Sequence, residues 1–302
     1  MTVRGDDVQV HETAQISDRA RIGAKKVVIG RNVRIGPHVD CVCSDHLVVG
    51  DNTIINGDTR ILLRGLRLGE FNYLCDHLWF EGSLNARDQN LQIGDRNLIC
   101  QNTRINCNRP VRIGSNVGIG QEVNIWTHGG FPDVLLGYPF NEGPVIIGNH
   151  VWLIARCVVL PGVTIGDHVV VGNDSLVNRD LPGGSLCAGV PVKVVREGVY
   201  PKRLTPEQKG AILERILEDW RLVASTKGVD PAVELVGNTR MVLRTPTGTV
   251  TFDAERMTVT GQMDEVAEDL RDFLRHRGVK FFTDRPFRSI MPPDFARWMR
   301  EG

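Results

Sequence analysis

An aliphatic residue returns every six positions along much of this chain, and glycine most often follows it. The step Ile-Gly begins at Ile22, Ile29, Ile35, Ile93, Ile113, Ile119, Ile147 and Ile165, with Val49-Gly50, Leu68-Gly69 and Val171-Gly172 as variants. The frame runs through 16, 22, 29, 35 and 41, then 49, 55, 61, 68, 74, 80, 86, 93, 99 and 105, then 113, 119 and 125, and resumes from 147 to 177. Slips of one or two residues are its breaks before 125. Helical contacts recur at three and four, and a half-buried strand alternates at two, so a period of six fits neither. A parallel β-helix of three short strands per coil, about 18 residues per turn, buries every sixth side chain by stacking coil on coil. Gly, Asn, Asp and His at the corners suit positive φ.

Composition removes other classes. Apolar residues make up 41% and charged residues 24% of the 302, and 36 Lys+Arg balance 36 Asp+Glu, which is a globular profile without the basic excess of a nucleic-acid binder. The opening Met1-Thr-Val-Arg-Gly-Asp-Asp has no signal-peptide pattern and no stretch is apolar enough to insert in a membrane, so a cytoplasmic protein is expected. The seven cysteines form no Cys-x-x-Cys pair and no zinc spacing, and are read as reduced thiols with no metal.

The run Pro144-Val-Ile-Ile-Gly-Asn-His-Val-Trp-Leu, then Val159-Leu-Pro-Gly-Val-Thr-Ile-Gly-Asp-His, and the segment from Leu181 to Arg196 resemble the left-handed β-helix acyltransferases. More narrowly, they resemble the galactoside, maltose and xenobiotic O-acetyltransferase group. The resemblance covers residues 93–197 well and 10–92 more loosely. The implied architecture is mainly β: a left-handed parallel β-helix over 1–199 with a loop at 126–146, followed by a small α+β domain over 200–302 of open role. In that second part Thr205-Pro206-Glu207-Gln208 reads as a helix start, short β-prone runs follow from Val233 to Thr260, and Glu265 to Arg277 reads as a second helix.

The six-residue frame stops between Ile125 and Ile147, and a long loop in a compact domain is usually functional. His128 opens that loop. In the resembled group a histidine there is the general base, which suits a hydroxyl nucleophile whose proton must leave in the transition state. The resemblance implies acetyl-coenzyme A as donor, laid in a groove between subunits of a homotrimer, with Trp152, Ala155, Asn173, Asn178 and Arg196 on the coenzyme side. A backbone amide between Trp152 and Ala155 would stabilise the oxyanion. On the acceptor side the group's asparagine aligns with Cys100, which leaves Asn102 and Trp126 as candidates. Asp133 and Glu142 are the fallback bases, and Trp79, Phe80, Phe131 and Tyr138 are other aromatics able to stack on a sugar ring.

His150 and His168, 18 apart in the slots Ile-Gly-Asn-His and Ile-Gly-Asp-His, are expected to stack as corner residues rather than to bind metal. No two histidines show the five-residue spacing of the zinc-dependent γ-class carbonic anhydrases. Cys100 and Cys107 have no evident base beside them, so direct transfer is expected over an acyl-enzyme. The reading is therefore an acetyl-coenzyme-A-dependent O-acetyltransferase of a carbohydrate hydroxyl, whether oligosaccharide, polysaccharide or glycolipid precursor. N-acetylation of a nucleotide-linked amino sugar and a non-catalytic trimeric scaffold stand as alternatives.

Overall fold

The computed structural model describes residues 2–83, 85–86, 88–230 and 232–293, and divides into two units, 1–202 and 203–302. The first is a parallel β-helix whose strands stack in three faces. Face I includes Lys26–Ile29, Asn90–Ile93, Val111–Ile113, Val145–Ile147 and Thr164–Ile165; face II includes Tyr73–Leu74, Leu98–Ile99, Gly118–Ile119, Trp152–Leu153 and Val170–Val171; face III includes Arg21–Gly23, Trp79–Glu81, Arg104–Asn106, Asn124–Ile125 and Val158–Val159. Each frame residue sits over its counterpart in the next coil, as in Ile93 under Ile113 and Ile113 under Ile147. The frame positions form one buried column per face, with Ile16 partly buried at the end. Each such side chain removed from water contributes roughly 1.5–3 kcal/mol.

Ala86 is the exception. It lies outside any strand and is only half-buried, while Phe80 and Ile93 occupy the core on faces III and I. The break between them is one long step of 13, not two short ones. A pitch of 18 holds only in the last coils, from Ile147 to Ile165 and from Val159 to Val177. Earlier coils are longer, and their extra residues share one edge. Steps from face I to II and from II to III are six throughout, whereas successive steps from III to I, beginning at Ile22 to Ile29 and ending at Ile125 to Ile147, are 7, 8, 7, 13, 8 and 22. Strands Asp40–Val49 and Arg60–Leu68 turn this edge without a break.

The two regular edges hold ladders of left-handed residues. Asn32, Asn52, Phe71, Arg96, Asn116, His150 and His168 line edge I/II, and His38, Asp58, His77, Asn102, Glu122, Arg156 and Asp174 line edge II/III, all with φ between 52° and 63°. Phe, Arg and Glu thus stand beside the expected Asn, Asp and His. The frame glycines, by contrast, have ordinary φ, contrary to the corner role expected of them. They are needed because coils touch there: a Cβ on Gly114 would stand 2.7 Å from the carbonyl carbon of Gly148. On edge I/II the residue after the glycine ties several coils together: Asp95 accepts from Glu70 N (2.8 Å), Ser115 from Asp95 N (2.9 Å) and Asn149 from Ser115 N (2.9 Å).

In the second unit, helix α1 (Pro206–Thr226) starts on a Thr205 capping box with Gln208, and helix α2 (Glu265–His276) on Asp264. Four antiparallel strands, Ala232–Val236, Arg240–Thr245, Gly248–Asp253 and Thr258–Thr260, lie between them in sequence. Trp220, Leu217, Met241, Phe252, Leu270 and Phe281 form its core. Buried Asp269 accepts from Trp220 Nε1 (3.0 Å), Lys227 Nζ (2.6 Å) and Ile290 N (2.7 Å), so its charge is compensated. Among the described residues no helix is long and apolar enough to cross a membrane.

Candidate active site

His128 leaves the β-helix on the irregular edge, III/I. Ile125 still faces the core and Trp126 points outward, 40% exposed, after which Thr127 is fully buried and His128 half-buried. His128–Gly129 then pairs antiparallel with Asn141–Glu142, closing the stems of the loop, and Arg109 Nη2 bridges to Glu142 Oε2 at 2.8 Å.

The imidazole is oriented by the coil before it. His128 Nδ1 lies 2.8 Å from Asn106 Oδ1. Which atom of Asn106 faces the ring follows from its other contacts: the backbone N–H of Asn108, which can only donate, reaches the same atom at 3.3 Å, and the Thr127 hydroxyl lies 2.9 Å from it. The atom is therefore an acceptor oxygen, Nδ1 carries the hydrogen, and Nε2 keeps its lone pair. A neutral imidazole fixed in this tautomer can take a proton at Nε2. Thr127 is itself held, accepting from Arg109 N at 3.1 Å. Asn106 and Thr127 were not singled out from sequence. The signal was a coil pitch: Asn106 follows Ile105 as Trp126 follows Ile125 in the strand stacked on it.

The other candidates fall in separate places. Trp152 projects from face II, 53% exposed, over Gly118, where a Cβ would meet its Cδ1 at 3.3 Å. Ala155 sits on edge II/III against Gly120, whose Cβ would meet Ala155 N at 2.7 Å. Asn173, on the same edge one coil on, donates to Asp174 at 2.7 Å, and Arg156 forks onto that carboxylate at 2.6 and 2.8 Å. Arg156 first and Asn173 second hold Asp174 down to about 2. Arg196 lies exposed on Lys193–Arg196, the antiparallel strand beside Leu186–Ala188 at the end of face II. Asn178 follows Val177 on face III in the column of Trp126, two coils away. Asn102 is an exposed left-handed residue on edge II/III, so face III separates it from His128 within one chain.

His150 and His168 stack with centroids 4.7 Å apart and planes at 9°, on left-handed φ of 55° and 59°. Among the thiols, Cys107 is fully buried and raised by burial, whereas hydrogen bonding with Cys75 brings half-buried Cys100 down to about 7 and pushes Cys75 up.

Residues 144–179 match the family model described as bacterial transferase hexapeptide (six repeats). The chain is 36% identical over 130 residues to galactoside O-acetyltransferase of Escherichia coli K12, covering 42% of this chain and 64% of that protein, so it spans just under two thirds of this relative. It is 34% identical over 130 residues to the "Putative colanic acid biosynthesis acetyltransferase WcaF" of the same strain, covering 36% of this chain and 70% of the relative. A hexapeptide-repeat-containing acetyltransferase of Vibrio cholerae, solved with acetyl coenzyme A, is 26% identical over 42% of this chain and 70% of its own, with a TM-score of 0.36. On the family-model match and the two sequence relatives, the chain belongs to the hexapeptide-repeat acyltransferases.

Proposed function

We propose that this protein transfers an acetyl group from acetyl-coenzyme A to a carbohydrate hydroxyl, with His128 as general base. The observation that carries this reading is the Asn106–His128 hydrogen bond at 2.8 Å, which leaves Nε2 as the basic nitrogen on the loop that departs from the coil. Nε2 takes the hydroxyl proton as the oxygen attacks the thioester carbonyl; the C–O bond forms, the C–S bond breaks, and the departing thiolate receives a proton from the imidazolium. A positioned base of this kind contributes about 10²–10⁴ in rate.

Trp152, Ala155, Asn173, Asn178 and Arg196 are assigned to the donor; because Trp152 N and Ile154 N donate to Val169 O (2.9 Å) and Val171 O (3.0 Å) in the next coil, the backbone N–H of Ala155 is the one assigned to the developing oxyanion. Within one chain face III lies between His128 and the group formed by Ala155 and Asn173, which supports a site completed by a second subunit. The loop adds to this. Phe131, Leu135 and Leu136 are 99%, 90% and 75% exposed in the single chain, and a trimer would cover them. Trp126, beside the base, is assigned to the acceptor.

The test is release of free coenzyme A thiol from acetyl-coenzyme A across a panel of oligosaccharides and amino sugars, with mass by light scattering. Thiol release with a glycan, from a trimer of about three times 33.6 kDa, supports the reading. A stable monomer that transfers acetyl groups overturns the shared site, and a protein that binds neither donor nor glycan overturns the activity.

A further inference from the structure

One column of face III carries a second arrangement of charged and aromatic side chains, apart from His128 and its hydrogen-bond partners. Reading outward-facing residues coil by coil gives Arg21, Asp40, Arg60, Trp79, Arg104 and Asn124, each in register with the next. The first two neutralise each other, since Arg21 forks onto Asp40 with Nε at 2.7 Å. Asp40 is thereby taken, and Arg60 turns to the other neighbour. The guanidinium carbons of Arg60 and Arg104 lie 5.3 and 5.8 Å from the centroid of the Trp79 ring, one from each adjacent coil. Among the described residues neither guanidinium has an ion-pair partner.

Stacking on an indole holds a guanidinium in place without using its hydrogens, so both forks remain available to an anion. Two strand spacings put the two cations on the order of 10 Å apart. They line a groove of about 710 Å³ whose rim, on edge II/III, is formed by Asp58, His77, Asn102 and Glu122. Cations on the floor and hydroxyl acceptors on the rim suit a sugar that carries carboxylates better than they suit an isolated anion. The groove also lies beside the proposed acceptor site. Glu81, two residues beyond Trp79, is in register with Asn106, the residue that orients His128. Trp79 is thus one coil and two residues from Asn106, roughly 8 Å along the face, a reach of one or two sugar units.

We propose that Arg60, Trp79 and Arg104 form a remote acceptor subsite for an acidic sugar unit, so that the hydroxyl presented to His128 belongs to an oligo- or polysaccharide bearing carboxylates. This rests on the reading of the chain as a glycan O-acetyltransferase and adds the class of glycan. Asn102, away from His128, finds its place on the rim of this groove.

The test uses the full chain on an array of uronate- and sialate-bearing oligosaccharides, each beside its methyl ester, with acetyl-coenzyme A binding and light scattering in parallel. The acids should be held at least about tenfold more tightly than their esters. Arg60→Gln combined with Arg104→Gln should abolish that difference, because charge-assisted hydrogen bonds are lost at two positions, while Trp79→Phe keeps most of it. Donor binding and oligomeric mass should stay unchanged in the double variant. Equal retention of acid and ester, no retention of any acidic chain, or undiminished binding by the double variant would overturn the subsite. A changed mass in that variant would also overturn it, by showing a subunit contact. The two readings fail separately: acidic chains held without any thiol release refute the transferase and leave the subsite, whereas thiol release with neutral acceptors that ignores the arginine pair refutes the subsite and leaves the transferase.

Discussion

The regular edges of the β-helix and its irregular edge are made by the same chain with opposite rules. On edges I/II and II/III every step is six residues, each turn from Ile29 to Val177 is made by one left-handed residue, and glycines let neighbouring coils touch. On edge III/I positive φ falls on glycines, Gly137 and Gly162, and on no other described residue, the step varies from 7 to 22 between Ile22 and Ile147, and Asn106, Arg109, His128 and Glu142 meet there. Repetition costs freedom at two edges because each residue there is constrained by the coils on both sides. The third edge absorbs insertions without disturbing the stacked columns, and the chemistry has room to collect there.

Substituting glycine at the two kinds of edge sharpens this contrast most. Gly114→Ala places a Cβ 2.7 Å from the backbone of Gly148, so it should cost about 3 kcal/mol in chemical denaturation. Gly129→Ala, where nothing stands within 4 Å of the added carbon and φ is ordinary, should stay within about 0.5 kcal/mol of the parent. Equal losses at both positions would break the comparison.

The next effect in size is on turnover alone. Asn106→Ala removes the acceptor that keeps the hydrogen on Nδ1 of His128, and turnover should fall by about 10²-fold while the melting temperature and donor affinity hold. His150→Ala, on the regular edge, should leave turnover near the parent's. The smallest effect concerns the loop stem: the Arg109–Glu142 pair is half-exposed, so Arg109→Ala should lower stability by no more than about 1 kcal/mol, with faster proteolytic cleavage between 130 and 140 as the more sensitive readout.

The stacked columns were legible because burial in a β-helix repeats at a fixed sequence interval, and the caps of α1 and α2 because a helix start is a local pattern. The failures share a cause. Ala86 fits the frame because a step of 13 divides naturally into six and seven, whereas the pairing of Leu91 with Leu66 shows that the next core position after Phe80 is on face I. No local motif points to Asn106, because its partner is 22 residues away on a coil whose pitch is 20. The glycines suit left-handed turns when one coil is read alone, and the close contact with the next coil that requires them appears only in the stack. The place of His128 at the start of the loop can be read from the sequence, because the six-residue frame stops at Ile125.

The claim that the irregular edge carries the chemistry is tested most directly by the initial rate of thiol release from saturating acetyl-coenzyme A, with one glycan acceptor, for His128→Ala against the parent protein. A fall of about 10²–10⁴ with coenzyme binding and oligomeric mass retained is the expected result. Turnover within a few-fold of the parent would contradict it, and would make His128 a residue of the loop stem with the base elsewhere.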